Sequence, residues 1–337
     1  MDKRISLKDI AQKVGVSTAL VSYVLNNQKE NRIKKEVAQK IRDTAKALNY
    51  RTNQIARSLK MSKTFTLGLI VSNISNPFSS GLARIIEDEA DKQKYTVIFG
   101  SSDENETKFS KLVDTFLNRQ VDGLIIAPPD GADEQITYLQ QQNIPFVLID
   151  RYFPAVPTSY VVLDNFEAAQ RATQFIIDGG AKRPAMITYE TGLTHIKDRT
   201  AGYQKALEDN GIPFAESRLK TVNISNVKQQ IEDAVYAVLY NIEPADAILF
   251  GSNSITNHAV KYINMLPVKI PKDVALISFD ETESLDLFYA PITYIKQPLR
   301  EMGKEAIAVL LKIIEAKEDK FEKVLLHGEL VIKKSTK

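Results

Sequence analysis

The chain has 337 residues, more than one ordinary domain of roughly 100–200 residues, and it carries no cysteine. Disulfides, thiolate metal sites, iron–sulfur clusters and thiol nucleophiles are thereby excluded; a cytoplasmic setting is expected, with no membrane association, since no apolar run of signal or spanning length occurs. The net charge of +2 conceals two opposite pieces: residues 1–63 hold 15 Lys and Arg against 5 Asp and Glu, so a +10 segment suited to a polyanion precedes a −8 body.

Leu7, Ile10, Ala11 and Val14 recur at i, i+3, i+4 and i+7, which predicts a short helix with Ser6 as its cap and Gly15 as its left-handed stop. Ser17 can cap a second helix, in which Leu20, Val21, Val24 and Leu25 form the buried face while Thr18, Ala19, Ser22 and Tyr23 point elsewhere. A third stripe, Val37, Ile41, Ala45 and Leu48, closes a three-helix core. Two short helices about one glycine turn make a helix-turn-helix, with the second helix free to enter a major groove. An ordinary three-helix bundle is the alternative; the charge and the polar start of the second helix favour DNA.

The run from Leu7 to Asn26, LKDIAQKVGVSTALVSYVLN, resembles the head of the lactose-repressor/galactose-repressor (LacI/GalR) family, and Asn49-Tyr50 followed by Asn53-Gln-Ile-Ala56-Arg57-Ser58-Leu59 resembles that family's hinge. The resemblance implies that Thr18, Ala19 and Tyr23 face bases and that Ser17, Ser22 and Asn26 approach phosphates, with Leu7, Asn53 and Arg57 in the same DNA-binding set. It makes Leu59 an apolar wedge inserted from the minor groove; the alternative is a linker leucine packed on the core. Tyr23 stands where many members carry Arg or His, the segment 27–32 is longer than usual, Lys34 replaces a Ser cap and Thr52 a Pro. A hinge helix this short is only marginally stable alone, because isolated helices under roughly 12 residues are not favoured in water, so it is expected to fold on DNA beside a second chain.

From Phe65 the texture changes to buried apolar runs alternating with helical stretches such as 82–93. Strands are predicted from near 66, 96, 121 and 146, and a second series at 184–188, 247–250 and 274–279, so two parallel sheets with helices on both faces are expected, with a ligand cleft between their strand ends. This body resembles a periplasmic sugar-binding protein, the known relative of the LacI/GalR core; 292–298 resembles the return to the first lobe and 327–332 the last strand of the second. The expected α/β organisation is a helix-turn-helix domain at 1–50, a hinge at 51–64, a first lobe at 65–163 plus 293–323, and a second at 164–292 plus 324–337.

Small polyols are held by charged and amide side chains with an aromatic face against the ring. By resemblance, Phe78 in Asn76-Pro77-Phe78 is the stacking candidate, and Ser79 leaves open a side often closed by an aromatic. Arg199 and Asp280 match the most regular ligand-bonding positions, and Ser252 and Asn253 a third pocket loop. Alternatives remain: Arg199 with Asp280 as a structural ion pair, His195 as a pocket liner or a solvated loop residue, and Asp164 as a liner beside Asp150 or as a helix cap. No G-x-G-x-x-G, phosphate loop or H-E-x-x-H motif occurs and the three His lack metal-ligand spacing, so no catalytic residue, metal or cofactor is expected. The expectation is a ligand-responsive DNA-binding regulator, a repressor acting as a homodimer on a pseudo-palindromic operator with a carbohydrate effector. A DNA-tethered sugar kinase or hydrolase and a purely architectural DNA binder are the rivals.

Overall fold

A computed structural model of the chain describes residues 5–27, 32–50, 63–223, 227–316 and 321–336. The chain divides into two units, Met1–Thr64 and Phe65–Lys337. The hinge candidates Asn53, Arg57 and Leu59 lie outside the described residues.

In the smaller unit α1 (Leu7–Val14) opens on a capping box. The Ser6 hydroxyl accepts from the Asp9 amide, and the Asp9 carboxylate accepts from the Ser6 amide at 2.7 Å. Gly15 ends the helix at φ +82°, a conformation nearly free for glycine and costly for any side chain. Ser17 then caps α2 (Thr18–Leu25), accepting from Leu20 N at 3.2 Å. Helix α3 (Lys35–Ala47) begins at Lys34 with no side-chain cap. Ile10, Val21, Val24 and Ile41 are buried at the centre, while Leu7, Leu20, Leu25, Val37 and Leu48 pack around them half-buried.

The larger unit contains two six-stranded sheets. The first has the order β2 (Thr96–Ser101), β1 (Thr66–Val71), β3 (Gly123–Ile126), β4 (Phe146–Ile149), β5 (Tyr160–Leu163), β11 (Lys323–Leu326), all parallel. The second runs β7 (Leu219–Val222), β6 (Pro184–Tyr189), β8 (Ala247–Phe250), β9 (Ala275–Phe279), β10 (Thr293–Lys296), β12 (Glu329–Val331). Central strands such as GLII, FVLI and AILF are buried at every position because helices cover both faces. On the first sheet those helices are α4 (Pro77–Lys92), α5 (Glu106–Asn118), α6 (Asp133–Gln141) and α12 (Leu299–Ala316). On the second they are α7 (Asn165–Asp178), α8 (Thr194–Asp209), α9 (Val227–Leu239), α10 (Asn253–Ile263) and the short α11 (Glu283–Asp286). Helix α4 starts at Pro77 rather than near 82, because Asn76 caps it and proline suits its first turn. Gly202 lets α8 lie directly on α7: a Cβ there would overlap the backbone at Phe166 O and Gln170 N.

Three short connections carry the chain between the sheets, after β5, after β10 and after β11. The expected lobe limits are corrected at two of them. Residues 293–296, assigned to the first lobe, form β10 of the second sheet, with Thr293, Tyr294 and Ile295 in register with Ile277, Ser278 and Phe279, and the first lobe resumes only with α12. Residues 324–326, assigned to the second lobe, lie in β11 against β5 of the first sheet. The second sheet is also not wholly parallel, because β12 runs antiparallel to β10. No helix among the described residues is long and apolar enough to cross a membrane.

Candidate functional site

In the head, Ser17, Thr18 and Ala19 are exposed at the start of α2, and Ser22, Tyr23 and Asn26 are half-buried along it. Asn26 is engaged locally, its Nδ2 donating to the Ser22 carbonyl at 2.8 Å and reaching the Ser22 hydroxyl at 3.3 Å. Leu7 is half-buried against the three-helix core. The first turn of α2 therefore presents small polar side chains and a helix N-terminus to solvent, an arrangement that suits phosphates and base edges.

In the body, a cavity of about 370 Å³ opens where the carboxyl ends of the two sheets face each other, the general ligand position of open α/β folds. Six of the seven effector candidates line it: Phe78, Ser79, His195, Arg199, Ser252 and Asp280. Phe78 and Ser79 are buried in the first turn of α4, set there by Asn76, whose side chain accepts from the Phe78 amide at 3.0 Å. The seventh, Asn253, lies behind the wall and donates to Asn76 Oδ1 at 2.9 Å, a bond from the second lobe to the first. Asp164 is not among the lining residues; it caps α7, accepting from Glu167 N at 3.0 Å.

Arg199 is not held by Asp280. Its Nε donates to Asn165 Oδ1 at 2.8 Å and its Nη1 to the Gly251 carbonyl at 2.7 Å, while the guanidinium carbon lies 4.0 Å from the centre of the Phe279 ring. Asp280 accepts from Gln297 Nε2 at 2.7 Å. Among the lining residues three buried atoms have no hydrogen-bond partner: His195 Nδ1 and Gln297 Oε1, in residues 7% and 5% exposed, and Arg151 Nε. Burial first, then the nearby Arg151 and Arg199 charges, hold the His195 imidazole well below its ordinary pKa, so it is neutral at pH 7.

Arg151 and Glu104 line the same cavity, and nothing in the sequence singled them out. The Arg151 guanidinium meets the Glu104 carboxylate through two bonds of 2.7 Å, and its Nε lies 3.4 Å from Asp150 Oδ2. The available signal was position: Arg151 follows Asp150 directly after an apolar strand, and such strand ends are where sites form. Asp150 is pushed up to about 6, chiefly by burial and further by Asp280 and Glu104, with Arg151 and Arg199 opposing.

On the same rim, the lobes are joined by Asp130. Its carboxylate accepts from the Thr191 hydroxyl and the Gly192 amide, both at 2.7 Å. Burial opposes ionisation of Asp130, but these bonds and the Gly131 amide outweigh it and hold the pKa below the usual carboxylate value. Thr194 Oγ1 adds a bond to the Tyr152 carbonyl at 3.2 Å.

Comparison with known proteins matches residues 6–53 to the bacterial regulatory proteins of the lacI family and residues 64–334 to the periplasmic binding proteins and sugar binding domain of the LacI family. The probable HTH-type transcriptional regulator EndR of Paenibacillus polymyxa is 31% identical, covering 97% of this chain and 98% of its own. Catabolite control protein A of Priestia megaterium is 30% identical over 99% of both. The crystal structure of the lac repressor dimer bound to operator and the anti-inducer ONPF has the same fold, with a TM-score of 0.84 over 99% of each chain at 22% identity.

Proposed function

This chain belongs to the LacI family of bacterial regulatory proteins, a DNA-binding transcriptional regulator and not an enzyme, and from that premise we propose that a carbohydrate in the cavity sets the affinity of the head for its operator. The observation that carries the proposal is the cavity itself: it lies between two lobes, and its wall holds buried polar atoms that lack partners within the protein. Such atoms cost free energy until a ligand supplies the bonds, which gives a hydroxyl-rich molecule both affinity and selectivity. Relatives support the class, since one structural neighbour is the regulator CelR in complex with cellobiose and another a LacI-family regulator of Enterococcus faecium with bound ribose.

We assign the roles from the family resemblance, with position in the cavity wall in support for the effector residues. Phe78 stacks on the apolar face of the ring while Asp280, Ser252 and Ser79 bond hydroxyls. Arg199, already fixed by Asn165 and Gly251, presents the rest of its fork, and His195 completes its bonding on the ligand. Asn253 acts one step back, tying the Ser252 loop to Asn76. In the head the resemblance assigns Thr18, Ala19 and Tyr23 to bases, Ser17, Ser22 and Asn26 to phosphates and Leu59 to a wedge from the minor groove, with Leu7, Asn53 and Arg57 in the same DNA-binding set. The chain acts as a repressor, a cytoplasmic homodimer on a pseudo-palindromic site.

A ligand shifts DNA binding only through unequal affinity for two lobe arrangements, and couplings of about 1–3 kcal/mol give roughly 5–150-fold changes. The test is operator titration of the full chain with and without each sugar that raises its melting temperature. A change of at least about fivefold is expected. Unchanged operator affinity with a saturating sugar overturns the proposal.

A further inference from the structure

The charges around the cavity are unevenly matched. Glu104, Asp130, Asp150, Glu190 and Asp280 face it with carboxylates; Arg151 and Arg199 are the cations among its lining residues. Neither imidazole redresses the balance, because burial first and neighbouring cations next lower the pKa of both His195 and His258. Both guanidiniums are also engaged: Arg151 makes a bidentate pair with Glu104 and bonds the Pro128 carbonyl, and Arg199 is held by Asn165 and Gly251. An incoming phosphate or carboxylate would meet five carboxylates against two guanidiniums that each already hold two protein groups, and like-charge approach in a partly desolvated site is costly. A polyol meets the opposite situation. The Asp150 and Asp280 carboxylates accept hydroxyl donors, as does the unpartnered Gln297 Oε1, which is buried at 5% exposure.

We infer that the effector is an uncharged, hydroxyl-rich sugar and that phosphorylated sugars and sugar acids are refused. This rests on the carbohydrate reading above and narrows it to one charge class. The cavity volume, about 370 Å³, lies in the lower part of the roughly 300–1,000 Å³ range of small-molecule sites, so a mono- or disaccharide is the fitting size.

The test uses the full chain and matched probes: D-ribose with ribose 5-phosphate, D-glucose with glucose 6-phosphate and gluconate, cellobiose with cellobiose 6-phosphate. Each is followed by thermal shift and then by calorimetry at constant ionic strength. At least one uncharged sugar is expected to bind, with its charged counterpart at least about tenfold weaker. Glu190→Lys, which places a cation at the exposed edge of the wall, is expected to narrow that gap by strengthening the charged member. A charged member binding as well as or better than its partner overturns the inference, as does a panel in which no uncharged sugar binds. Operator titration separates the two readings. A sugar phosphate that binds and alters operator affinity leaves the regulator standing and removes the charge rule; a neutral sugar that binds without altering operator affinity does the reverse.

Discussion

Asp150 and Asp280 occupy equivalent places in the two lobes, each just past a central strand, with φ of 68° and 70° and its amide bonded to the neighbouring strand at Val161 O or Ile295 O. The left-handed region is disfavoured for side chains, and Asp is among the residues that tolerate it best. The turn aims both carboxylates into the cavity. Raising Asp150 from 3.8 to about 6 means that the folded chain binds this proton more tightly than the unfolded one. Stability therefore falls as pH rises between about 4 and 6, on the order of 3 kcal/mol in all, and the full cost persists above. A sugar hydroxyl donated to the ionised carboxylate offsets that cost, so proton and sugar compete. We expect sugar binding to be about tenfold weaker at pH 5 than at pH 7.5 by calorimetry. Asp150→Asn should flatten the profile; an unchanged profile assigns the proton to another group. At the DNA end, Tyr23→Ala is expected to reduce operator affinity more than affinity for random DNA at one salt concentration. Equal losses on both would place Tyr23 on the phosphate backbone or in packing.

At the scale of elements, the rim loops act as a clasp. Thr191→Val keeps the shape and deletes the hydroxyl bonded to Asp130, a charge-assisted bond worth about 1.5–3 kcal/mol before solvent screening. Faster hydrogen exchange at the Gly192 amide and weaker sugar binding are expected; unchanged exchange would show that Asp130 does not hold the loop. Because the Asp130 pKa is depressed, the clasp contributes above the usual carboxylate range and is lost as pH falls through its lowered value. Helix packing offers a second check: Gly202→Ala forces α8 off the α7 backbone, and a melt lowered by about 1–3 kcal/mol or more is expected. The buried central strands β1, β3, β4, β6, β8 and β9 were legible as apolar runs because helices cover both faces of them, whereas β5, four residues of YVVL and nearly as buried, was not singled out. Strands β7 and β11 escaped because they alternate or carry lysines where solvent reaches them. The sheet joined by β10 was not legible at all, since a four-residue strand carries no local mark of its partner. In the same way the paired positions Arg199 and Asp280 came from family resemblance, whereas Arg151 and Glu104 needed the fold to bring together residues 47 apart in sequence.

At the scale of the molecule, the charge division between the two units predicts separable responses. The logarithm of operator affinity should fall linearly with the logarithm of salt concentration, with a slope of about −0.9 per phosphate neutralised. Sugar binding in the body, as an uncharged contact, should barely respond; a steep salt dependence there would imply an ionic ligand. The last connections between the sheets also set an order of events during synthesis. The smaller unit draws its described core from residues before 51, so it can complete itself early. Neither sheet of the body can do so. The first awaits β11 as its outer strand, and the second awaits both β12 and Ser335, whose side chain and backbone bond Leu276 and Thr293 in the central strands. At about 5–20 residues per second, a finished DNA-reading head precedes a finished sensor by tens of seconds on the ribosome. During that interval the nascent chain carries the means to find DNA and none to hear a sugar.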